Sequence, residues 1–289
     1  MEKDVYYGGQ AIIEGVMMKS PTHYSMAVRT QDGAIKVVKE SYTSVVHALR
    51  FLKLPFVRGM VYLCEMLVLG LKSLTWSANQ QTGDEESMST LEIVATLGLS
   101  LVFGLALFVG LPLLLTGLLT ADHGITFNLI DGVLRLIIFV GYILAISLMA
   151  DIKRVFQYHG AEHKTVNCFE KKLPLTVPNV MKQSTIHPRC GTSLIVIVIA
   201  LSIVAFSVIV DPRWYVKLGV RLVFIPLIAA LSYELLKISA KFYHYRITKV
   251  LIAPGLWMQK LTTKEPDEKQ CEVAIEALKQ VVEESPSSA

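Results

Sequence analysis

Positions 93–119 read IVATLGLSLVFGLALFVGLPLLLTGLL, a run without a single charged residue. An α-helix crosses the hydrocarbon of a bilayer with about 20 predominantly apolar residues. This run therefore constrains the chain more than any other feature, and it predicts a transmembrane helix. Three further runs follow. Positions 133–150 carry Arg135 near one end, 194–210 carry no charge, and 218–236 hold Arg221 near one end and Glu234 near the other. Charges at such ends can snorkel to the interface or pair within a bundle. Of the 289 residues, 53% are hydrophobic and 18% charged, against about 45–50% and about 25% in a soluble domain. The expected class is an α-helical polytopic membrane protein with about four spans.

Lysine and arginine set the orientation of short loops. Positions 1–92 carry nine, 151–193 carry seven and 237–289 carry eight, whereas 120–132 carry none and 211–217 carry two. Both termini and the 151–193 loop are expected inside, with two short connectors outside. The start, MEKDVYYGGQ, lacks the basic, apolar and small-residue segments of a signal peptide. The net charge of +4 fits this topology and gives no reason to expect nucleic-acid binding. Cys64, Cys168, Cys190 and Cys271 are scattered without a framework spacing, which argues against a disulfide scaffold.

The run 54–71 is apolar but contains Arg58 and Glu65, seven residues apart and so near one helical face. A fifth span there would put positions 1–53 on the wrong side. An amphipathic helix over 54–78, lying at the inner interface or docked on the bundle, is the expectation. Positions 1–53 read as a small β-rich part, with a hairpin at Asp32-Gly33 and a turn at Gly8-Gly9. The acidic stretch 79–92 reads as a linker. The tail 237–289 reads as helical, with an amphipathic helix capped at Thr262 or Thr263 that presents Val273, Ala277 and Val281 on one face, and a frayed SPSSA end.

The chemistry concentrates in 151–193. YHGAEHKT holds His159, Glu162 and His163 as H-x-x-E-H. On a helix the two imidazoles project side by side, one turn apart, and the pattern inverts the zinc-protease motif. Twenty-four positions after His163 comes IHPRCGTS, with His187 and Cys190 as H-P-x-C-G. This resembles a zinc knuckle with its first cysteine replaced. Together His159, His163, His187 and Cys190 offer a nitrogen and thiolate set suited to zinc, in a loop expected to stay reduced. The competing reading has interfacial histidines and a small buried cysteine. Glu14 and Gln10, in GGQAIIEGVMM, are further candidates, as buried partners or as groups that hold a metal-bound histidine; the competing reading, which the sequence favours, is strand residues pointing to water. Glu234 is another, at membrane depth, or else it pairs with Lys237, Arg221 or Arg135.

GGQAIIEGVMM, YHGAEHKTVNCFE, HPRCGTS and PGLWMQKLTTKEPDEKQCEVAIEAL together resemble the YqhQ family of bacterial membrane proteins. The resemblance implies a bacterial cytoplasmic-membrane location and carries the metal reading onto His159, Glu162, His163, His187 and Cys190. It supplies no substrate.

Two functions follow from these motifs. If a ligand position stays open, a metal-dependent hydrolase uses Glu162 as general base. If all four donors bind, zinc is structural and braces a membrane scaffold or accessory factor, for example in membrane-protein biogenesis. Partners beyond the lipid bilayer would then be cytoplasmic or membrane proteins, and an oligomer is compatible with either reading.

Overall fold

The computed structural model describes residues 7–82, 90–207, 211–243 and 245–282. The strands β1 (Gly8–Ile12), β2 (Gly15–Lys19), β3 (His23–Arg29) and β4 (Ile35–Ser41) form an antiparallel sheet in that order. The helices that follow are α1 (Pro55–Thr82), α2 (Thr90–Leu105), α3 (Leu111–Leu119), α4 (Ile125–Ile146) and α5 (Ala150–Glu170). Then come α6 (Val177–Met181), α7 (Gly191–Ser207), α8 (Trp214–Lys241), α9 (Arg246–Thr262) and α10 (Glu268–Val282). A π-helical stretch, Ala106–Gly110, joins α2 to α3. Pro112 lies just beyond it and has no N–H to return to Phe108, so the ladder loosens there.

The sheet is covered on both faces. Successive side chains of a strand point to opposite sides. Val16, Met18 and Ala27 therefore pack against Tyr158, Ala161 and Val166 of α5 and Ala274, Ala277 and Leu278 of α10. Met17, Met26 and Val28 pack against Met66, Leu69 and Trp76 of α1. Double coverage explains why GVMM is apolar throughout rather than alternating. The predicted hairpin is present, with Gly33 at φ +86° and Gly33 N–H donating to Thr30 O at 2.9 Å. The first turn, however, falls at Ile13-Glu14, with Glu14 at φ +52°. Gly8 and Gly9 belong to β1. A Cβ on Gly9 would stand 2.1 Å from Met17 O, so that glycine serves strand approach, not a bend.

Among the described residues, three helical segments are long and apolar enough to cross a membrane: Ala95–Leu119, α4 and α8. Large apolar side chains such as Leu99, Leu118, Ile137 and Val223 stand exposed on them, the pattern of a lipid-facing surface. Helix α7 is equally apolar but has 17 described residues, and positions 208–210 of that run lie outside the described residues. So do 83–89 of the linker and the SPSSA end.

Helix boundaries run past the charges that delimit the apolar runs. Helix α4 begins at Ile125 and α8 at Trp214, so Asp131 and Lys217 are helical and buried. Helix α1 is docked along α8. A Cβ on Gly59 would meet Ala230 O at 2.8 Å, and Arg58 Nε donates to Glu234 Oε1 at 3.0 Å. Glu234 thus pairs with α1 rather than with Lys237, Arg221 or Arg135. Glu65 accepts from Tyr42 Oη at 2.5 Å and Val45 N–H at 2.6 Å. Its charge ties α1 to the segment after β4.

Helix α10 starts from Asp267, not from Thr262 or Thr263. Gln270 N–H donates to Asp267 Oδ1 at 2.8 Å, and Asp267 N–H to Gln270 Oε1 at 2.9 Å. This is a reciprocal cap. Thr262 instead ends α9, a separate helix within the tail read as helical. The segment between α9 and α10 lies directly on α5. Lys264 N–H donates to Phe156 O at 2.8 Å, and a Cβ on Gly160 would stand 2.1 Å from Lys264 O. Gly160→Ala is therefore expected to separate α5 from this segment and destabilise the protein by about 1–3 kcal/mol. Thermal unfolding of the detergent-solubilised chain checks this; an unchanged midpoint would refute the packing role.

Candidate metal centre

Helix α5 faces two ways. One side joins the core of the sheet and α10. The other side carries the polar residues of the H-x-x-E-H stretch, and these organise the chain from Met181 to Cys190. Lys164 is 2% exposed; its Nζ donates to Met181 O at 2.7 Å and pairs with Glu265. Asn167 Nδ2 donates to Ser184 O at 2.8 Å and to Ile186 O at 3.2 Å. Buried peptide groups need partners, and α5 side chains supply them to a loop with little regular structure of its own.

Two histidines of α5 take part in the same way. His163 Nδ1 lies 2.6 Å from Thr185 O, and His159 Nδ1 lies 2.9 Å from Thr262 O. A carbonyl can only accept, so each Nδ1 carries the hydrogen. In the neutral rings that leaves both Nε2 atoms as lone-pair donors, the arrangement by which metal-ligating histidines are oriented. The rings are 4.4 Å apart between centroids. Cys190 Sγ lies 3.2 Å from His159 Nε2. One ligand atom each from His159, His163 and Cys190 falls within 4.8 Å of the others. The sulfur also accepts from Thr192 N–H at 3.4 Å, at the first turn of α7.

His187 lies outside this group of ligand atoms, although its ring is 5.8 Å from that of His163 between centroids. Its Nε2 faces Glu170 Oε2 at 3.4 Å, and Glu170 also pairs with Arg189. Burial pushes the His187 imidazole below its ordinary pKa, with the charge of Glu162 opposing. Its backbone is held tightly: His187 N–H donates to Gln259 Oε1 at 2.9 Å, and Gln259 Nε2 donates to His187 O at 2.9 Å. Glu162 is buried, with Oε2 3.5 Å from His163 Nε2. With Nδ1 already donating, two acceptors face each other there unless a cation or a proton lies between. The three remaining candidates lie elsewhere. Glu14 pairs with Arg154 and accepts from Tyr158 Oη at 3.3 Å, Gln10 Nε2 donates to Gly70 O at 3.2 Å, and Glu234 pairs with Arg58. Each joins two elements of the fold.

Gln259 was missed from the sequence, although a lone amide among the apolar residues of PGLWMQKL was the available signal. The carbonyls of Thr185 and Thr262 have no sequence signature.

The family model described as a protein of unknown function, DUF1385, matches residues 54–284. That range starts just before α1 and contains His159, Glu162, His163, His187 and Cys190, while Gln10 and Glu14 fall outside it. An uncharacterized protein, YqhQ of Bacillus subtilis (strain 168), is 36% identical over 295 residues, covering 96% of this chain and 92% of that relative. The chain belongs to this family. No solved structure matches it.

Gln259 is 0% exposed, so replacing it with leucine strands the N–H of His187 and leaves its C=O only the 3.3 Å bond from Cys190 N–H. Gln259→Leu is expected to cost about 1–3 kcal/mol. Thermal unfolding checks this, and a wild-type midpoint would remove the clamp from the account.

Proposed function

We propose that the chain is a bacterial cytoplasmic-membrane metalloprotein that holds zinc through His159, His163 and Cys190 and uses it for hydrolysis. The observation that carries this reading is the paired pinning of Nδ1 by two peptide carbonyls, which leaves both Nε2 atoms as lone-pair donors in a group where one ligand atom each of His159, His163 and Cys190 lies within 4.8 Å of the others. Imidazole nitrogen and thiolate suit zinc. Three protein ligands leave a fourth position for water, the count of catalytic rather than closed structural sites. When bound, zinc would supply an acidified water at neutral pH. Glu162, buried beside His163, is the group available to take a proton there.

In this reading four helices cross the bilayer: 95–119, α4, α7 with its continuation, and α8. Both termini, the sheet and α5 lie on the cytoplasmic side, following the lysine and arginine distribution. The metal centre then sits where α7 enters the membrane. Helix α9 lies at that interface, with Ile247, Val250, Leu251 and Trp257 exposed toward lipid. A substrate would present an amide or ester at the inner membrane surface.

The 3.2 Å contact between Cys190 and His159 favours a second reading, a cysteine nucleophile with His159 as base and Thr262 O orienting it. Metal dependence separates the two. Purified wild-type protein is expected to contain about one zinc per chain, with His163→Ala and Cys190→Ser nearly metal-free. Glu162→Gln should keep its zinc and fail to complement a deletion strain. A Glu162→Gln protein that keeps both zinc and function would leave the metal a structural brace. A metal-free wild type inactivated by thiol alkylation would favour the nucleophile.

A further inference from the structure

A second polar cluster lies among the apolar helices. Asp131 Oδ2 stands 3.0 Å from an Arg135 Nη and 3.1 Å from an Arg221 Nη. Arg221 also reaches Asn128 Oδ1 at 3.4 Å. Lys217 Nζ sits 3.3 Å from the centroid of the Phe127 ring, and both guanidiniums lie against Phe206. Arg221 is 1% and Lys217 2% exposed. Among the described residues, Asp131 is the one carboxylate at ion-pair distance from this group, and Lys217 feels Asp122 and Asp211 only from further off.

The imbalance extends to hydrogen bonding. Arg221 Nη1, Arg135 Nε, Lys217 Nζ and Asp131 Oδ1 are buried without a hydrogen-bond partner. Aromatic faces attract cations but do not neutralise them. A buried charge without a counterion is costly, and inside a bilayer such groups mark functional sites. Three orphaned donors call for anionic oxygens, and the one orphaned acceptor calls for a hydroxyl. At 1.5 Å per residue, Asp131 and Arg221 lie about 10 Å, and Arg135 about 15 Å, from the helix ends facing the two short connectors. The cluster therefore belongs to the half of the bilayer opposite the metal centre. The inference rests on α4 and α8 crossing the membrane and not on the metal.

We propose that Asp131, Arg135, Lys217 and Arg221 form a buried receptor for a hydroxyl-bearing phosphate group, carried by a glycerophospholipid headgroup or free in solution. A phosphate balances the surplus positive charge, and guanidinium forks match its oxygens. The hydroxyl donates to Asp131 Oδ1.

Thermal unfolding of the full-length, delipidated protein in a non-ionic detergent tests this, at constant salt. Phosphatidylglycerol, phosphatidylcholine or inorganic phosphate is titrated in. A ligand that binds the folded state raises the midpoint with concentration. The expected result is a rise of several degrees with phosphatidylglycerol and none with phosphatidylcholine. In Lys217→Gln the concentration required should increase at least tenfold, and in Lys217→Arg it should stay near wild type. A response to inorganic phosphate alone would assign the site to a free phosphate. No response to phosphatidylglycerol or phosphate in wild type would overturn the proposal, and so would an equal response to phosphatidylcholine or an unchanged response in Lys217→Gln. The wild-type titrations decide the matter even if a variant fails to fold.

Discussion

Two imidazole N–H groups, one helical turn apart on α5, are each held by a peptide carbonyl from a different part of the chain. Thr185 O belongs to the loop before α7 and Thr262 O to the end of α9. These two bonds settle the tautomers of His159 and His163. They also tie together the loop that carries Cys190 and the helix that carries Gln259. The close contact of Gly160 with Lys264 O brings the chain after α9 onto the same helix. A shift of α5 by even a fraction of its pitch would break several of these contacts together. This is why a donor cluster can persist in a loop with little secondary structure.

The apolar part of the molecule obeys a related constraint. Charged groups among apolar helices are costly alone and tolerable in pairs. Arg58 and Glu234 join α1 to α8, and Asp131 joins α4 to α8 through Arg221. Both pairs fix which helices are neighbours, a specificity that lipid-facing leucines cannot provide. The charge surplus around Asp131 contrasts with the paired charges of Arg58 and Glu234, and that contrast separates a binding site from a brace.

Much of the architecture was legible because bilayer thickness and strand alternation leave strong periodic signals. The 93–119 run and the Asp32-Gly33 hairpin could be read directly, and the spacing pointed to His159, His163 and Cys190, which the fold brings together. Helix ends were less legible for a physical reason. A reading by apolar runs stops at the first charge, so it placed Asp131 and Lys217 in connectors, whereas buried partners let α4 and α8 continue through them. Helix α9 falls in the tail read as helical, but its bounds were not read, and Pro254 and Gly255 lie within it. Gly255 in fact allows close approach to Ser193, since a Cβ there would meet that side chain at 2.8 Å. Spacing alone made His187 equivalent to the other donors. Its separation depends on Glu170 and Arg189, whose positions follow only from tertiary contacts. Gly8-Gly9 misled because glycine serves close packing as readily as turning.

The central claim is a three-ligand centre of two histidines and one cysteine. Zinc-edge X-ray absorption on the purified full-length protein tests it most directly. The account predicts one sulfur at about 2.3 Å and nitrogen or oxygen neighbours at about 2.0–2.1 Å, with the spectrum unchanged in His187→Ala and the sulfur lost in Cys190→Ser. A first shell without sulfur, or one that collapses when His187 is removed, would contradict it.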